Sequence, residues 1–121
     1  MPERIFSYEE ACNLLEPVRK TTQAASERLE QLREQARHAT PEQAAQVKAW
    51  IDTVVNQWAQ DILALGALPK GLFTVDFDSG EGFYYCWQLN EAQLGHYHTY
   101  DEGFGGRKPL DRLRAGQPVL N

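Results

Sequence analysis

Apolar residues in the first half of the chain recur at intervals of three and four, the spacing of one helix face. Ser7 and Glu10 match the S-x-x-E capping box that begins a helix. The pattern then runs without a break, and its members are Tyr8, Ala11, Leu15, Val18, Thr22, Ala25, Leu29, Leu32 and Ala36. We therefore expect a long first helix whose apolar side needs a partner helix.

A second set of helix signals follows at once. Thr40, Pro41 and Gln43 form another capping box with proline at the first helical position. The apolar spacing continues to Leu65, and Gly66 can end the helix in a left-handed conformation. Because the link between the two patterns is short, we expect an antiparallel helical hairpin over residues 7–66.

The first helix would be about 45 Å long, which exceeds the diameter of a compact domain of this size. Either Pro17 bends the helix, or the hairpin protrudes and pairs with another copy. We expect a kink at Pro17 and, separately, a homodimer in which two hairpins form a four-helix bundle.

The period changes to two after Leu72. Alternating apolar residues predict strands over 73–77 and 83–89, joined by a turn at 79–82, and a third segment at 94–100. The expected fold class is α+β, a long antiparallel helical hairpin packed on a small three-stranded antiparallel sheet. We expect a single domain over 1–121, with a meander and Gly-rich loop at 71–107 and a C-terminal tail at 108–121.

Composition limits the function classes. The chain has 121 residues, 42% of them hydrophobic, and a net charge of -5, which is typical of one soluble globular domain. No apolar run suggests a membrane span or a secretory signal, so we expect a cytoplasmic protein without membrane contact. The chain lacks a basic stripe, which disfavours nucleic acid as a partner. Cys12 and Cys86 are expected to be free thiols.

The stretch from Gly71 to Gly106 carries the candidate chemistry. It contains no lysine or arginine, but it holds six carboxylates, two histidines and a cysteine. His96 and His98 are two apart on a predicted strand and share a face, so both imidazoles could bind one metal ion, with Asp101 or Glu102 as a third ligand. Such a set suits zinc, iron or manganese. The alternative is that both imidazoles only form hydrogen bonds beside the aromatic residues.

Cys86 could act as a metal ligand or a nucleophile. If the connection at residues 90–92 keeps an even register, Cys86 and His98 lie on opposite faces of the sheet, which favours a buried, inert thiol. Asp76 lies between two apolar residues and is expected on the side of Cys86, held by a specific partner. Arg107 could close the acidic stretch by binding a carboxylate.

The segments YEEACNLLEPVRK, PKGLFTVDF, YYCW and GHYHTYDEGFGGRKPL resemble a family of small prokaryotic proteins, domain of unknown function 2203. Some members are labelled division initiation protein. The resemblance spans almost the whole chain and implies one shared domain with no established activity. His96 stands where such proteins more often have an aromatic or apolar residue, which favours His98 with carboxylates as the common site. The matching polar residues are Asp76, Cys86, Glu91, His98, Glu102 and Arg107.

We therefore expect a polar pocket that binds a divalent metal or a small polar ligand and has the groups for catalysis. Its candidate ligand-binding residues are Asp76, Cys86, Glu91 and Arg107, and its candidate metal ligands are His98, Glu102, His96 and Asp101. The alternative is a helical interaction module, homodimeric or partner-binding, without catalytic activity. A third reading is a metal-free accessory enzyme with Cys86 as nucleophile.

Overall fold

The computed structural model describes residues 4–111, so residues 112–121 of the predicted C-terminal tail lie outside it. Helix α1 spans Tyr8–Arg37 and helix α2 spans Pro41–Ala64. Both predicted capping boxes are present, with Ser7 and Glu10 at the start of α1 and Thr40 and Gln43 at the start of α2. The α1 helix continues through Pro17.

The helices pack against each other along their predicted apolar sides. Of the α1 pattern, the structure buries Ala11, Leu15, Val18, Thr22, Leu29 and Leu32. The Trp58 indole of α2 donates a hydrogen bond of 2.8 Å to the Thr22 hydroxyl of α1, and both side chains are buried. After α2, Gly66 takes a φ of +95°, the left-handed conformation that the sequence predicts.

The α+β class is confirmed, but the sheet has five strands rather than three. They are β1 (Leu68–Gly71), β2 (Thr74–Asp78), β3 (Phe83–Gln88), β4 (His96–Thr99) and β5 (Lys108–Pro109). The sheet is an antiparallel meander in the order β1-β2-β3-β4-β5. The two strands that were not predicted from the sequence, β1 and β5, form the edges of the sheet. Each contains a proline, which cannot donate to a ladder and is tolerated at an edge.

The first predicted strand also begins later than expected. Phe73 has a φ of +60° and lies in the turn between β1 and β2, although its ring packs edge-on against Trp58 with the centroids 5.3 Å apart. The sheet thus begins before this turn, at Leu68.

The two faces of the sheet differ in chemistry because side chains alternate along each strand. The odd-numbered residues Val75, Phe77, Phe83, Tyr85 and Trp87 join the helices in the hydrophobic core. The even-numbered residues Asp76, Tyr84, Cys86 and His98 line a cavity on the other face. The sheet therefore separates the core from the candidate site.

Candidate functional site

Strand register brings the central polar residues together. Asp76 on β2 is paired with Cys86 on β3, while β3 and β4 pair Tyr84 with His98 and Cys86 with His96. Cys86 and His98 therefore lie on the same face. The opposite-face arrangement expected from an even connection is wrong, because the register pairs even-numbered residues of β3 with even-numbered residues of β4.

His98 is fixed by a hydrogen bond at each ring nitrogen. Its Nε2 lies 2.9 Å from Asp76 Oδ2, and its Nδ1 lies 3.1 Å from the Thr99 carbonyl oxygen. Since a carbonyl oxygen only accepts, Nδ1 must carry a proton. The Nε2–Oδ2 contact then requires one further proton, shared between His98 and Asp76. Both side chains are at least nine-tenths buried.

Asp76, Cys86 and His98 form a compact group with metal-ligand chemistry. One ligand atom from each lies within 4.8 Å of the other two, and all three residues are buried. Asp76 Oδ1 is buried and has no hydrogen-bond partner among residues 4–111. An unpartnered buried carboxylate oxygen carries a desolvation cost that a cation would remove.

The Cys86 thiol is held in its protonated form when no metal is bound. Burial raises the pKa of this thiol to about 12, and the negative charge of Asp76 adds to the effect. Cys86 is fully buried, in agreement with the expected inert thiol. As a free nucleophile it is therefore inactive near neutral pH, because the thiolate is the reactive form.

The even-numbered face opens into a cavity of about 370 Å³. Besides the buried group, its lining includes Lys70 from β1 and Tyr100, Glu102 and Phe104 from the segment after β4. Glu102 bonds the Lys108 ammonium at 3.0 Å and the Thr99 hydroxyl at 3.0 Å. The Lys108 ammonium, together with the bonds from Thr99, lowers the pKa of the Glu102 carboxyl.

Gly106 allows this arrangement of Glu102. A Cβ atom at position 106 would lie 2.6 Å from the Cβ of Glu102, well inside contact distance. The glycine-rich loop thus gives the Glu102 side chain the space to lie along the backbone.

Glu91 and Arg107 lie beside the buried group and support its backbone. An Arg107 Nη2 donates to Glu91 Oε1 at 2.7 Å and to the Cys86 carbonyl oxygen at 3.1 Å. Burial alone would raise the pKa of Glu91, but the bonds from Arg107 and the Gln88 amide outweigh it, so the pKa is lowered. The predicted carboxylate partner of Arg107 is thus Glu91, and neither residue lines the cavity.

Three of the four predicted metal ligands, His96, Asp101 and Glu102, do not belong to the group. His96 Nδ1 lies 3.7 Å from Glu91 Oε2, and Asp101 is exposed in the turn after β4. Glu102 lines the cavity but is bound to Lys108. The structure thus brings His98 together with Asp76 and Cys86 rather than with His96.

A family model described as Uncharacterized conserved protein (DUF2203) matches residues 4–110. The chain belongs to this family. The resemblance drawn from the CW and DEGFxGRxP motifs is confirmed, and the DUF2203 match includes the whole candidate site. No curated protein and no solved structure matches the chain.

Sequence reasoning missed several residues that line the cavity of this DUF2203 chain. Lys70 precedes the base-free stretch and lies on a strand that the sequence did not predict. Tyr84 could have been found, because it shares the even-numbered positions of Asp76 and Cys86.

Within residues 4–111, no helix is long and apolar enough to cross a membrane.

Proposed function

We propose that this DUF2203 protein binds a divalent metal ion, zinc in the first place, through Asp76, Cys86 and His98. The ion would form the floor of the 370 Å³ cavity, where a small polar ligand can reach it. The observation that carries this proposal is the buried set of three different ligand atoms within 4.8 Å of one another.

The surroundings of His98 support the proposal. Metal-bound histidines usually donate their second ring N–H to a carbonyl or carboxylate, which orients the ring. The contact between His98 Nδ1 and the Thr99 carbonyl provides this arrangement and leaves Nε2 for the ion. The ion would take the place of the proton that Nε2 shares with Asp76.

Charge suits a divalent ion, and ligand type reduces the three expected metals to zinc and iron. A thiolate from Cys86 and a carboxylate from Asp76 together neutralise a dication inside the protein. Thiolate ligands favour zinc or iron over manganese. Three protein ligands leave a coordination position open for water or a ligand, as in catalytic zinc sites, so the site has the parts for metal-assisted chemistry.

The proposal includes a cytoplasmic location. Cys12 and Cys86 are both free thiols, and Cys86 is buried. A thiol that must stay reduced to bind metal suits a reducing compartment.

Elemental analysis of protein without an affinity tag, produced with added zinc, tests the proposal. We expect about one zinc ion per chain in the wild-type protein. The ion should be lost in Cys86→Ala, which leaves the Asp76–His98 pair intact, and in His98→Ala. The matched control Cys12→Ala should keep it. A metal-free wild-type protein whose stability does not change with a chelator would contradict the proposal.

A second candidate function is self-association through the helical hairpin. A groove lies between the two helices, and its lining mixes apolar residues such as Ala25 and Val54 with polar residues such as Thr53 and Asp61. Trp50, one helical turn from Val54, is 45% exposed. An exposed tryptophan on the surface of a helical hairpin favours a protein interface. This function is compatible with a metal site on the other side of the sheet.

A further inference from the structure

The cavity contains one charged side chain that no opposite charge neutralises. Its ionisable lining residues include Lys70, Asp76, His98 and Glu102. Asp76 is paired with His98, and Glu102 is paired with Lys108. Lys70 forms no ion pair with any residue in 4–111; its ammonium instead lies 5.0 Å from the centroid of the Tyr84 ring. The cavity therefore carries an unbalanced positive charge.

A bound metal would leave this charge in place. The carboxylate of Asp76 and the thiolate of Cys86 balance a dication, so the proposed metal centre adds no net charge to the cavity. The ammonium of Lys70 then favours a ligand with a negative charge. The stretch from Gly71 to Gly106 contains no basic residue, but tertiary structure adds Lys70 to the same site.

The walls of the cavity are aromatic. Tyr84, Tyr100 and Phe104 line it, and the rings of Tyr84 and Tyr100 lie 4.9 Å apart. The Tyr100 hydroxyl donates to Asp78 Oδ1 at 2.6 Å, which fixes this ring. Tyr100 is 44% exposed and Phe104 is 48% exposed. Large aromatic side chains left exposed beside a cavity offer flat surfaces on which an unsaturated ring can pack.

We propose that the metal-loaded cavity binds a small aromatic carboxylate. The carboxylate lies between the metal and the Lys70 ammonium, and the ring packs against Tyr100 and Phe104. The inference rests on the proposed function, because the metal forms the floor on which the carboxylate sits. A cavity of about 370 Å³ lies within the range of small-molecule sites.

Calorimetric titration of the zinc-loaded protein with four simple probes tests the charge and the ring separately. Benzoate, benzamide and benzamidine share a ring but carry negative, neutral and positive groups, and acetate has the carboxylate alone. We expect saturable binding of benzoate, about tenfold or more tighter than binding of the other three.

Lys70→Met keeps an unbranched side chain of nearly the same length and removes its charge. We expect this variant to bind benzoate about tenfold more weakly while its zinc content stays the same. The matched control Lys48→Met, which changes an exposed lysine of α2, should bind like the wild-type protein.

The outcomes separate this inference from the proposed metal site. Stoichiometric zinc with no saturable benzoate binding, or with benzamidine bound as well as benzoate, would overturn the inference and leave the metal site standing. Equal benzoate affinity of Lys70→Met and wild type would overturn the role of Lys70 in the same way. A wild-type protein that takes up no zinc would overturn both.

Discussion

Cys86 combines complete burial with the charge of a neighbouring carboxylate. Burial raises the pKa of its thiol to about 12 from the ordinary value of 9.0, and Asp76 contributes in the same direction. The folded protein therefore keeps this proton over a pH range in which the unfolded chain loses it. Metal binding reverses the preference, since the thiolate is the form that binds the ion.

The stability of the metal-free protein should depend on whether the Cys86 thiol is protonated. The thiol favours the folded state fully below pH 9, and this contribution is lost as the pH rises from 9 towards 12. Relative to Cys86→Ala, wild-type stability should fall with rising pH in that window, by on the order of 1 kcal/mol per pH unit. Urea denaturation at several pH values in the presence of a chelator measures it. Parallel curves for wild type and Cys86→Ala would contradict the prediction, and Cys12→Ala serves as the control.

The two helices are joined by a polar contact inside their apolar seam. The Trp58 indole N–H donates to the Thr22 hydroxyl at 2.8 Å. Thr22 follows the helical spacing of the apolar residues, so sequence periodicity treats it as a seam residue without indicating its bond. Trp58 also packs on Phe73 beside β2 and so connects the hairpin to the sheet.

Thr22→Val tests the value of this contact. Valine has nearly the shape of threonine but leaves the buried indole N–H without an acceptor, which should cost about 1–3 kcal/mol of the free energy of unfolding. Thr22→Ser keeps the hydroxyl and should retain the bond, so it serves as the matched control. Chemical denaturation compares them, and a valine variant more stable than the serine variant would count against the contact.

In the whole molecule, one face of the sheet belongs to the hydrophobic core and the other face belongs to the candidate site. Odd-numbered strand residues pack against α1 and α2, and even-numbered residues line the cavity. Association through the outer side of the hairpin would therefore leave the cavity open. Both proposed functions can belong to the same protein.

Molar mass measured by light scattering from micromolar to millimolar concentration tests self-association. We expect twice the chain mass of 13.8 kDa at the upper end. Trp50→Glu should return the protein to the chain mass because it places a charge on the proposed apolar interface, whereas Lys48→Glu should not. A wild-type protein with the mass of one chain at every concentration would contradict the hairpin dimer.

Features that depend on neighbours a few residues apart could be predicted from the order of residues alone. Capping boxes and apolar spacing predicted both helices, and alternation predicted the three central strands and the separation of odd from even positions on β2 and β3. Family membership followed from the CW and DEGFxGRxP motifs. Asp76, Cys86 and His98 could be named as candidate site residues because all three lie in one stretch without lysine or arginine and have side chains that bind metals.

Which of these residues lie in contact depends on how distant parts of the chain pack together. The register of β3 against β4 depends on the turn at Asn90 and on packing across the sheet, and a shift of one residue would have moved His98 to the other face. The edge strands carry prolines and few apolar residues, so their pairing leaves little local signal. Lys70 reaches the cavity through one of them, and the charge of the site therefore could not be obtained from the stretch that holds its other residues.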